Sequence, residues 1–228
     1  MLKDLWPKLV AKINQRKHNE THDNLCFGGK KVSQAKTLDN KELKALLRHV
    51  SNKKFAARDR LMILLTHLAG MRIGEVAAVR VGDVLALDGS VKEEMRLSAD
   101  QTKGRRGRTV VLSKKLRDEI LSYLHWRFGT EQLIAVTYTD AMSKPLFATQ
   151  KRDGFTANTA CNHLFMLYKA AGIEGSSHSG RRSFLTSLSA KAVPLRVMME
   201  LAGHRQAQTT MRYCDVTMDM KRAAVSLL

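Results

Sequence analysis

The residues best suited to chemistry stand near the end of the chain. His178 and Arg181 are followed by His204, and Tyr213 comes nine positions after that. A tyrosine hydroxyl can attack a phosphodiester once an imidazole has taken its proton, and an arginine can hold the phosphate by two parallel hydrogen bonds. Residues of these types in this order therefore predict a site that breaks a phosphodiester bond with Tyr213 as the nucleophile.

Such a site needs fixed positive charge, because attack on a phosphodiester adds negative charge to oxygens that are already anionic. The chain offers two further cations upstream. Arg72 stands at the start of a predicted helix, where backbone N–H groups also favour an anion. Lys103 lies at the tip of a predicted hairpin, from which it can deliver a proton to the departing 5′ oxygen.

Each of these residues also has an ordinary structural explanation. Arg72 and Glu75 are spaced for an ion pair within one helix. The hairpin at 103–108 can be a solvated turn or a nonspecific phosphate contact. His204 can cap the end of a helix, and Tyr213 can be a half-buried core residue with a bonded hydroxyl. The joint occurrence of the set, in this order on a basic chain, favours the catalytic interpretation.

The charge balance of the chain favours a polyanionic partner. Its 228 residues include 39 Lys and Arg against 21 Asp and Glu, which gives a formal net charge of +18. Basic side chains that neutralise phosphates release counterions, so DNA or RNA is the predicted partner, with a ribosome-associated or membrane-surface protein as the alternative. Hydrophobic residues make up 44% of the chain, which is enough for a folded core and excludes a disordered polycation.

The cysteines and the hydropathy of the chain predict a cytoplasmic location. Cys26, Cys161 and Cys214 are spaced irregularly, which indicates neither a disulfide framework nor a zinc ribbon, and favours a reducing compartment. Charged residues such as Lys3 and Asp4 interrupt the N-terminus, so no signal peptide is predicted. No stretch has the length of a membrane span, and we expect no membrane partner.

Hydrophobic periodicity predicts an α+β fold that is mainly helical, with a small three-stranded antiparallel sheet at one edge. Residues 1–36 are predicted to form a basic N-terminal arm or, equally, a floppy terminus, and residues 37–228 the folded domain. The strands are predicted at 84–87, 95–99 and 108–112. Helices are predicted at 39–50, 57–69, 73–79, 113–128, 156–172, 178–190, 194–202, 207–214 and 217–227.

The segments that carry the candidate residues resemble the catalytic domain of the tyrosine recombinases, also called the phage integrase family. The resemblance covers residues 37–228. The matching segments are LAGMRIGEV at 68–76, TKG at 102–104 leading to RTVVL at 108–112, HSGRRSF at 178–184, and LAGH at 201–204 running into TTMRY at 209–213. The resemblance implies a site-specific recombinase that cuts and rejoins DNA strands through a 3′-phosphotyrosine intermediate.

The resemblance assigns a role to each of the central residues. Tyr213 would attack and become linked to the 3′ phosphate. Arg72 and Arg181 would clamp the scissile phosphate. Lys103 would act as the general acid toward the 5′ oxygen. All of these residues are present in this sequence.

The remaining members of the implied site are two histidines and a carboxylate. His178 would assist Tyr213 as acid or base, His204 would donate a hydrogen bond to the phosphate, and Glu75 would support the site structurally. The family uses neither a metal nor a nucleotide, so no cofactor is expected. His178, His204 and Cys214 can be imagined as zinc ligands, but the resemblance explains both histidines better.

The implied partner is double-stranded DNA. The protein is expected to assemble on it into an oligomer, and a tetramer is the expected state. Accessory DNA-bending proteins are candidate partners, and the protein would be associated with the nucleoid if it is bacterial. Further arginines are candidate DNA contacts, mainly to phosphates. They are Arg105, Arg106, Arg108, Arg182 and Arg205.

Two features depart from most of the family. Gly180 stands where most relatives have a bulky apolar residue, and glycine there weakens the helix start by about 1 kcal/mol relative to alanine. We expect it to let the backbone approach DNA closely. Many relatives also carry an N-terminal helical domain that closes around DNA, whereas 36 residues precede the domain in this chain. The chain thus resembles either the short recombinases that work with the catalytic domain alone or a fragment of a recombinase. We expect the basic arm to replace part of the DNA contacts that the N-terminal domain makes in other members.

The tail at 215–228 is amphipathic, with apolar residues that can form one face of a helix. In the family such a tail docks on a neighbouring subunit; a helix folded back onto its own domain is the equal alternative. The apolar residues are Val216, Met220, Ala223, Ala224 and Leu227.

Two other functions use the same sequence features. A nicking-and-closing enzyme of the type IB topoisomerase kind would share the site but would not need two DNA sites. A DNA-binding regulator would retain only a vestigial site. The complete set of six candidate residues argues against the regulator, because a site under no chemical demand tends to lose members.

Overall fold

The computed structural model describes residues 35–102, 104–129, 133–150, 152–214, 216 and 218–226. This part of the chain is mainly helical, with one small antiparallel sheet, which confirms the predicted fold class. Nearly all of the predicted N-terminal arm lies outside the described residues, and so does Lys103.

Helices make up most of the secondary structure, and the two strands lie together in the first half of the chain. The helices are α1 (Asn40–Ser51), α2 (Ala56–Leu68), α3 (Ile73–Ala78), α4 (Val81–Val84), α5 (Lys114–Phe128), α6 (Leu133–Thr137), α7 (Ala157–Ala170), α8 (Ser179–Ala190), α9 (Leu195–Ala202), α10 (Ala207–Met211) and α11 (Met218–Val225). The strands β1 (Glu94–Leu97) and β2 (Arg108–Val111) lie between α4 and α5, and a 3-10 helix spans Asp140–Ser143.

Side-chain caps fix several of the helix ends, as the sequence predicts. The Asp39 carboxylate accepts a hydrogen bond from the backbone N–H of Glu42, and the Glu42 side chain accepts one from the N–H of Asp39. At the start of α5 the Ser113 hydroxyl accepts the N–H of Leu116, without a reciprocal bond. Gly129, with φ of 87°, ends that helix in a conformation that glycine adopts at low cost.

Helix α2 forms the centre of the hydrophobic core. Five consecutive apolar residues, 61–65, are all almost completely buried, so this helix is covered on every side. It packs against α8, α5 and α1. Since α2 ends just before Arg72 and α8 begins just before Arg181, this packing sets the distance between two candidate site residues.

The sheet has two strands in the described residues, not three. Strands β1 and β2 pair in an antiparallel register from Glu94↔Val111 to Leu97↔Arg108. The predicted strand at 84–87 is wrong: α4 covers its first residue, and Leu85 makes only an isolated bridge with Val91. The apolar residues at 81, 84 and 85 follow helical spacing, and Asp83 caps the turn by accepting the N–H of Arg80. The predicted connection at 130–154 likewise contains a short α-helix and a 3-10 helix.

Gly180 is explained by helix packing and not by an approach to DNA. A Cβ atom added there would overlap Thr66 Oγ1 and lie 2.8 Å from His67 Cδ2, both on α2. The absence of a side chain therefore lets α8 press directly against α2. The expectation that this glycine faces DNA is wrong, because its open side is filled by the core helix.

Replacing Gly180 by alanine is expected to destabilise the fold, although alanine is the better helix former by about 1 kcal/mol. The added methyl group must push α8 away from α2, and overpacking of this kind costs about 1–3 kcal/mol. Urea unfolding followed by circular dichroism measures the loss. Gly104→Ala is the matched control, since the nearest atom to its added Cβ lies 3.9 Å away. A Gly180→Ala protein as stable as the wild type would contradict this account of the packing.

Candidate active site

The site begins at the turn between α2 and α3, which carries Arg72. Gly70 adopts a φ of 59°, and the chain turns so that Arg72 becomes the N-cap of α3. The backbone N–H of Arg72 donates to Glu75 Oε2, and its Nη1 donates to Glu75 Oε1, both at 2.9 Å. The Glu75 side chain is 1% exposed and that of Arg72 is 32% exposed. The ordinary ion pair expected from the spacing is present, and it leaves one side of the guanidinium open to solvent.

Arg108 is turned into the protein, in contrast to its prediction as a DNA contact. Its Nη2 donates to Glu75 Oε2 at 2.7 Å, its Nη1 donates to the carbonyl of Leu201 at 2.8 Å, and its side chain is 10% exposed. Its stem passes beside Gly203, where an added Cβ would lie 2.8 Å from Arg108 Cδ. Arg108 therefore ties the start of β2 to both α3 and α9.

Arg181 is the most deeply buried cation of the site, with 4% exposure. Its Nη1 donates to the carbonyl of Gly70 at 2.6 Å, and its Nη2 donates to the carbonyl of Ala202 at 2.6 Å and to His204 Nε2 at 2.7 Å. The planar guanidinium thus joins the α2–α3 turn to the end of α9. A lysine has neither the geometry nor the reach to hold acceptors in these three directions.

His204 lies in the turn that follows α9, and its ring is held from two sides. Gly203 takes a left-handed conformation, with φ of 64°, and the N–H of His204 then donates to the carbonyl of Met199. The ring bonds Arg181 through Nε2 and Thr210 Oγ1 through Nδ1, the latter at 2.8 Å. A guanidinium only donates, so Nε2 must accept, and the proton of the neutral ring lies on Nδ1.

Burial, together with the positive charge of Arg181, lowers the pKa of His204 to about 4. The imidazole is therefore neutral at physiological pH. A neutral ring can serve as a hydrogen-bond donor or acceptor, but it adds no further positive charge to the site.

Tyr213 lies beside His204, in the turn that follows α10. Its ring centroid is 6.2 Å from that of His204, with 16° between the planes. The ring packs on a small apolar cluster formed by α8 and α9, whose buried members are Leu185, Met198 and Ala202. Tyr213 is thus half-buried, as its ordinary interpretation predicts, and at the same time it borders the cationic part of the site.

Arg182 lies over the ring of Tyr213. Its guanidinium carbon is 5.6 Å from the centroid of the Tyr213 ring, and its Nε donates to Thr37 Oγ1 at 3.1 Å. The N–H of Leu38 also donates to Ser183 Oγ, on the same helix. The first described residues of the domain are therefore fastened to the helix that carries Arg181. A DNA contact by Arg182 stays a prediction.

The remaining predicted residues of the described chain are exposed. His178 is exposed at the N-cap of α8, one turn before Arg181. Arg105, Arg106 and Arg205 are exposed. The Arg205 side chain comes near the hairpin, because its Nη2 lies 3.9 Å from a Cβ built on Gly104. Gly104 therefore lies close to the side chain of Arg205, which follows His204 in the chain.

The electrostatics of the site favour an anion. Burial, and then the nearby charges of Arg72 and Arg108, lower the pKa of Arg181 to about 9, so it stays protonated at neutral pH. The guanidinium groups of Arg72 and Arg108 both pair with the single carboxylate of Glu75, whereas the guanidinium of Arg181 donates to the carbonyls of Gly70 and Ala202. This excess of buried positive charge is what a bound phosphate would relieve.

Glu75 is expected to stabilise the fold through its two arginines. Burial alone would raise the pKa of this carboxyl, but the hydrogen bonds and charges of Arg108 and Arg72 outweigh it and lower the pKa below the ordinary 4.5. Its stabilisation is therefore complete above pH 4.5 and is lost as the pH falls through the folded-state pKa.

Replacing Glu75 by glutamine is expected to lower the free energy of unfolding by about 3–5 kcal/mol at pH 7, because Arg108 is left buried without a counter-charge. The difference from wild type should shrink as the pH falls below 4.5. Urea unfolding at several pH values measures both effects. Glu200→Gln, which removes an exposed ion pair with Arg196, is the control and should cost at most about 1 kcal/mol. Equal losses in the two variants would refute the role given to Glu75.

The described residues contain no group of three His, Cys, Asp or Glu side chains arranged to hold a metal ion. Within the same residues, no helix has the length and apolar character needed to span a membrane.

Comparison with known proteins places the chain in a family. The family model described as "Phage integrase family" matches residues 36–220. The chain belongs to the phage integrase family, which confirms the resemblance seen in the sequence.

Individual relatives support the same assignment. The chain is 30% identical over 189 residues to the tyrosine recombinase XerA of Thermococcus kodakarensis, covering 83% of this chain and 61% of the relative. It therefore spans less than two thirds of the length of that protein.

Solved structures share the fold. The crystal structure of XerA recombinase aligns with a TM-score of 0.65 at 22% identity, covering 86% of this chain and 66% of the other. The XerH site-specific recombinase bound to difH substrate aligns with a TM-score of 0.59 at 24% identity, covering 86% and 54% of the two chains.

Proposed function

We propose that this protein is a site-specific DNA recombinase that cuts and rejoins strands through a 3′-phosphotyrosine intermediate, with residues 37–228 as its catalytic domain. The observation that carries the proposal is the buried Arg181, which bonds His204 while the His204 ring lies against Tyr213. The proposed phosphate-binding cation and the proposed nucleophile thus both lie next to the same neutral histidine. Membership of the phage integrase family supports the same chemistry.

In the proposed reaction the scissile phosphate binds at the open side of Arg72 and is held by Arg181. Tyr213 Oη attacks phosphorus, the bond from phosphorus to the 5′ oxygen breaks, and the 3′ phosphate becomes esterified to the tyrosine. His178 takes the phenolic proton, and Lys103 supplies a proton to the leaving 5′ oxygen. Since one phosphoester replaces another, a 5′ hydroxyl from a second strand can reverse the step without an energy source.

The proposed partner is double-stranded DNA. The XerH recombinase that shares the fold is bound to its difH substrate, and in this chain Arg105, Arg106 and Arg205 are exposed and so available to phosphates. We propose that the protein works as a tetramer assembled on DNA in the cytoplasm, with accessory DNA-bending proteins as candidate partners. Helix α11, with exposed Met218 and Val225, is the segment proposed to dock on a neighbouring subunit.

A joining experiment tests this function. Duplexes of randomised sequence with a nick are incubated with the protein, those retained covalently are amplified, and the selected sequence is placed in two duplexes of different length. The proposal predicts recombinant duplexes of the two new lengths. Relaxation of a supercoiled plasmid without joining would indicate the topoisomerase-like activity, and tight binding without covalent capture would indicate a regulator.

A further inference from the structure

Thr210 is a completely buried polar residue that contacts both His204 and the turn of Tyr213. Its side chain has 0% exposure, and its Oγ1 lies 2.8 Å from His204 Nδ1. Its carbonyl accepts the backbone N–H of Tyr213 at 2.9 Å. One residue of α10 therefore fixes the second histidine of the site and the start of the turn that carries the candidate nucleophile.

We propose that Thr210 is a positioning residue for strand cleavage, whose hydroxyl holds His204 in place and satisfies Nδ1 in either tautomer of the ring. This inference rests on the proposed function. It concerns how His204 changes from the partner of Arg181 into a donor to phosphate.

The arrangement without DNA defines the first state. Arg181 donates to Nε2, so the ring proton lies on Nδ1 and the Thr210 hydroxyl accepts from it. In this state His204 cannot donate to a phosphate, because Nε2 carries no proton.

The second state follows when a phosphate draws the Arg181 N–H away. Nε2 must then be protonated for His204 to donate to the phosphate, and Nδ1 becomes an acceptor. One proton leaves Nδ1 for solvent and one reaches Nε2 from solvent, so the ring stays neutral. The Thr210 hydroxyl rotates and donates to Nδ1, since a hydroxyl can both accept and donate.

The surroundings of His204 favour this exchange between neutral forms over protonation. The charged groups that act on the ring are Arg181, Arg72, Arg108 and Glu75, and their summed charge is positive. A hydroxyl partner keeps the ring neutral in both states, whereas a carboxylate at this position would promote protonation. A valine at position 210 would stabilise neither tautomer of the ring, because Nδ1 would lose its hydrogen-bond partner.

The test compares Thr210→Val, which keeps the shape, with Thr210→Ser, which keeps the hydroxyl. Covalent complex formation is timed at saturating DNA with the full-length variants. We expect Thr210→Val to slow it roughly 10–100-fold, by analogy with the loss of a hydrogen-bond partner that orients a metal-ligating histidine. Thr210→Ser should stay within about threefold, and the DNA dissociation constants of both should be unchanged within about threefold.

A double-variant cycle separates this role from a purely structural one. If Thr210 acts through His204, adding Thr210→Val to a His204→Ala protein should cause no further loss beyond about twofold. A full additional loss in that background would overturn the proposal, and so would a Thr210→Val rate equal to that of the wild type.

A second readout needs neither DNA nor activity. The ¹⁵N chemical shifts of the His204 ring in the free protein should show a protonated Nδ1 in the wild type and in Thr210→Ser. In Thr210→Val the proton should stay on Nδ1, because Arg181 still donates to Nε2, but the Nδ1 resonance should shift because its N–H has lost its acceptor. An unchanged spectrum would overturn the contact. A wild-type protein that never forms a covalent complex would refute the proposed function itself, which this spectrum distinguishes from a failure of the Thr210 role.

Discussion

Replacing Tyr213 by phenylalanine is expected to abolish the covalent protein–DNA complex and leave DNA binding intact. The change removes one oxygen and keeps the ring, which packs on Leu185, Met198 and Ala202 and stacks with His204. Removal of a covalent nucleophile lowers the rate by about 10⁶-fold, so no complex should be visible on a denaturing gel.

The chain provides a matched control for this experiment. Tyr138 is 83% exposed on a different part of the domain, and Tyr138→Phe should form the complex at the wild-type rate. Binding is compared by mobility shift at the same salt concentration, because phosphate contacts are salt-dependent. A covalent complex with Tyr213→Phe would show that another residue is the nucleophile.

Replacing Arg181 by lysine is expected to have the second largest effect on cleavage. The guanidinium reaches the carbonyls of Gly70 and Ala202 and the ring of His204, whereas an ammonium group is a single point of charge. The phosphate would lose a rigid donor, and one preorganised donor contributes about 10²–10³ in rate. Binding should weaken by less than about tenfold, because one phosphate contact is a small part of the total.

This variant should also be less stable, since a buried carbonyl left without a donor costs about 1–3 kcal/mol. Cleavage is therefore measured at saturating DNA and at a temperature where circular dichroism shows the variant folded. Arg205→Lys is the control, because Arg205 is exposed and should tolerate the change. Near-normal cleavage by Arg181→Lys would contradict the proposal that the planar guanidinium of Arg181 is needed to hold the scissile phosphate.

Local features of the sequence predicted the parts of the fold that depend on neighbouring residues. The cap at Asp39 and the end of α5 at Gly129 follow from interactions within one turn. The pairing of Arg72 with Glu75 follows from the same short spacing. The wrong strand at 84–87 shows where such reasoning fails. In a segment this short, the spacing of apolar residues fits a helix as well as a strand.

The features that the sequence did not predict depend on contacts between distant segments. Arg108 turns inward because β2 lies beside the end of α9, 93 residues further along the chain. Gly180 is explained only by the position of α2. Thr210 was missed as well, although its place three residues before Tyr213, within the helix predicted at 207–214, is a signal that the two residues are neighbours.

Mass spectrometry of the covalent complex tests the central claim most directly. After nuclease and trypsin digestion, the chain should yield a peptide spanning residues 213–221 that carries a nucleotide remnant, with fragment ions that place it on Tyr213. The attached strand should be linked through its 3′ phosphate, with the other fragment released as a 5′ hydroxyl. A remnant on any other residue, or a linkage through a 5′ phosphate, would contradict the account.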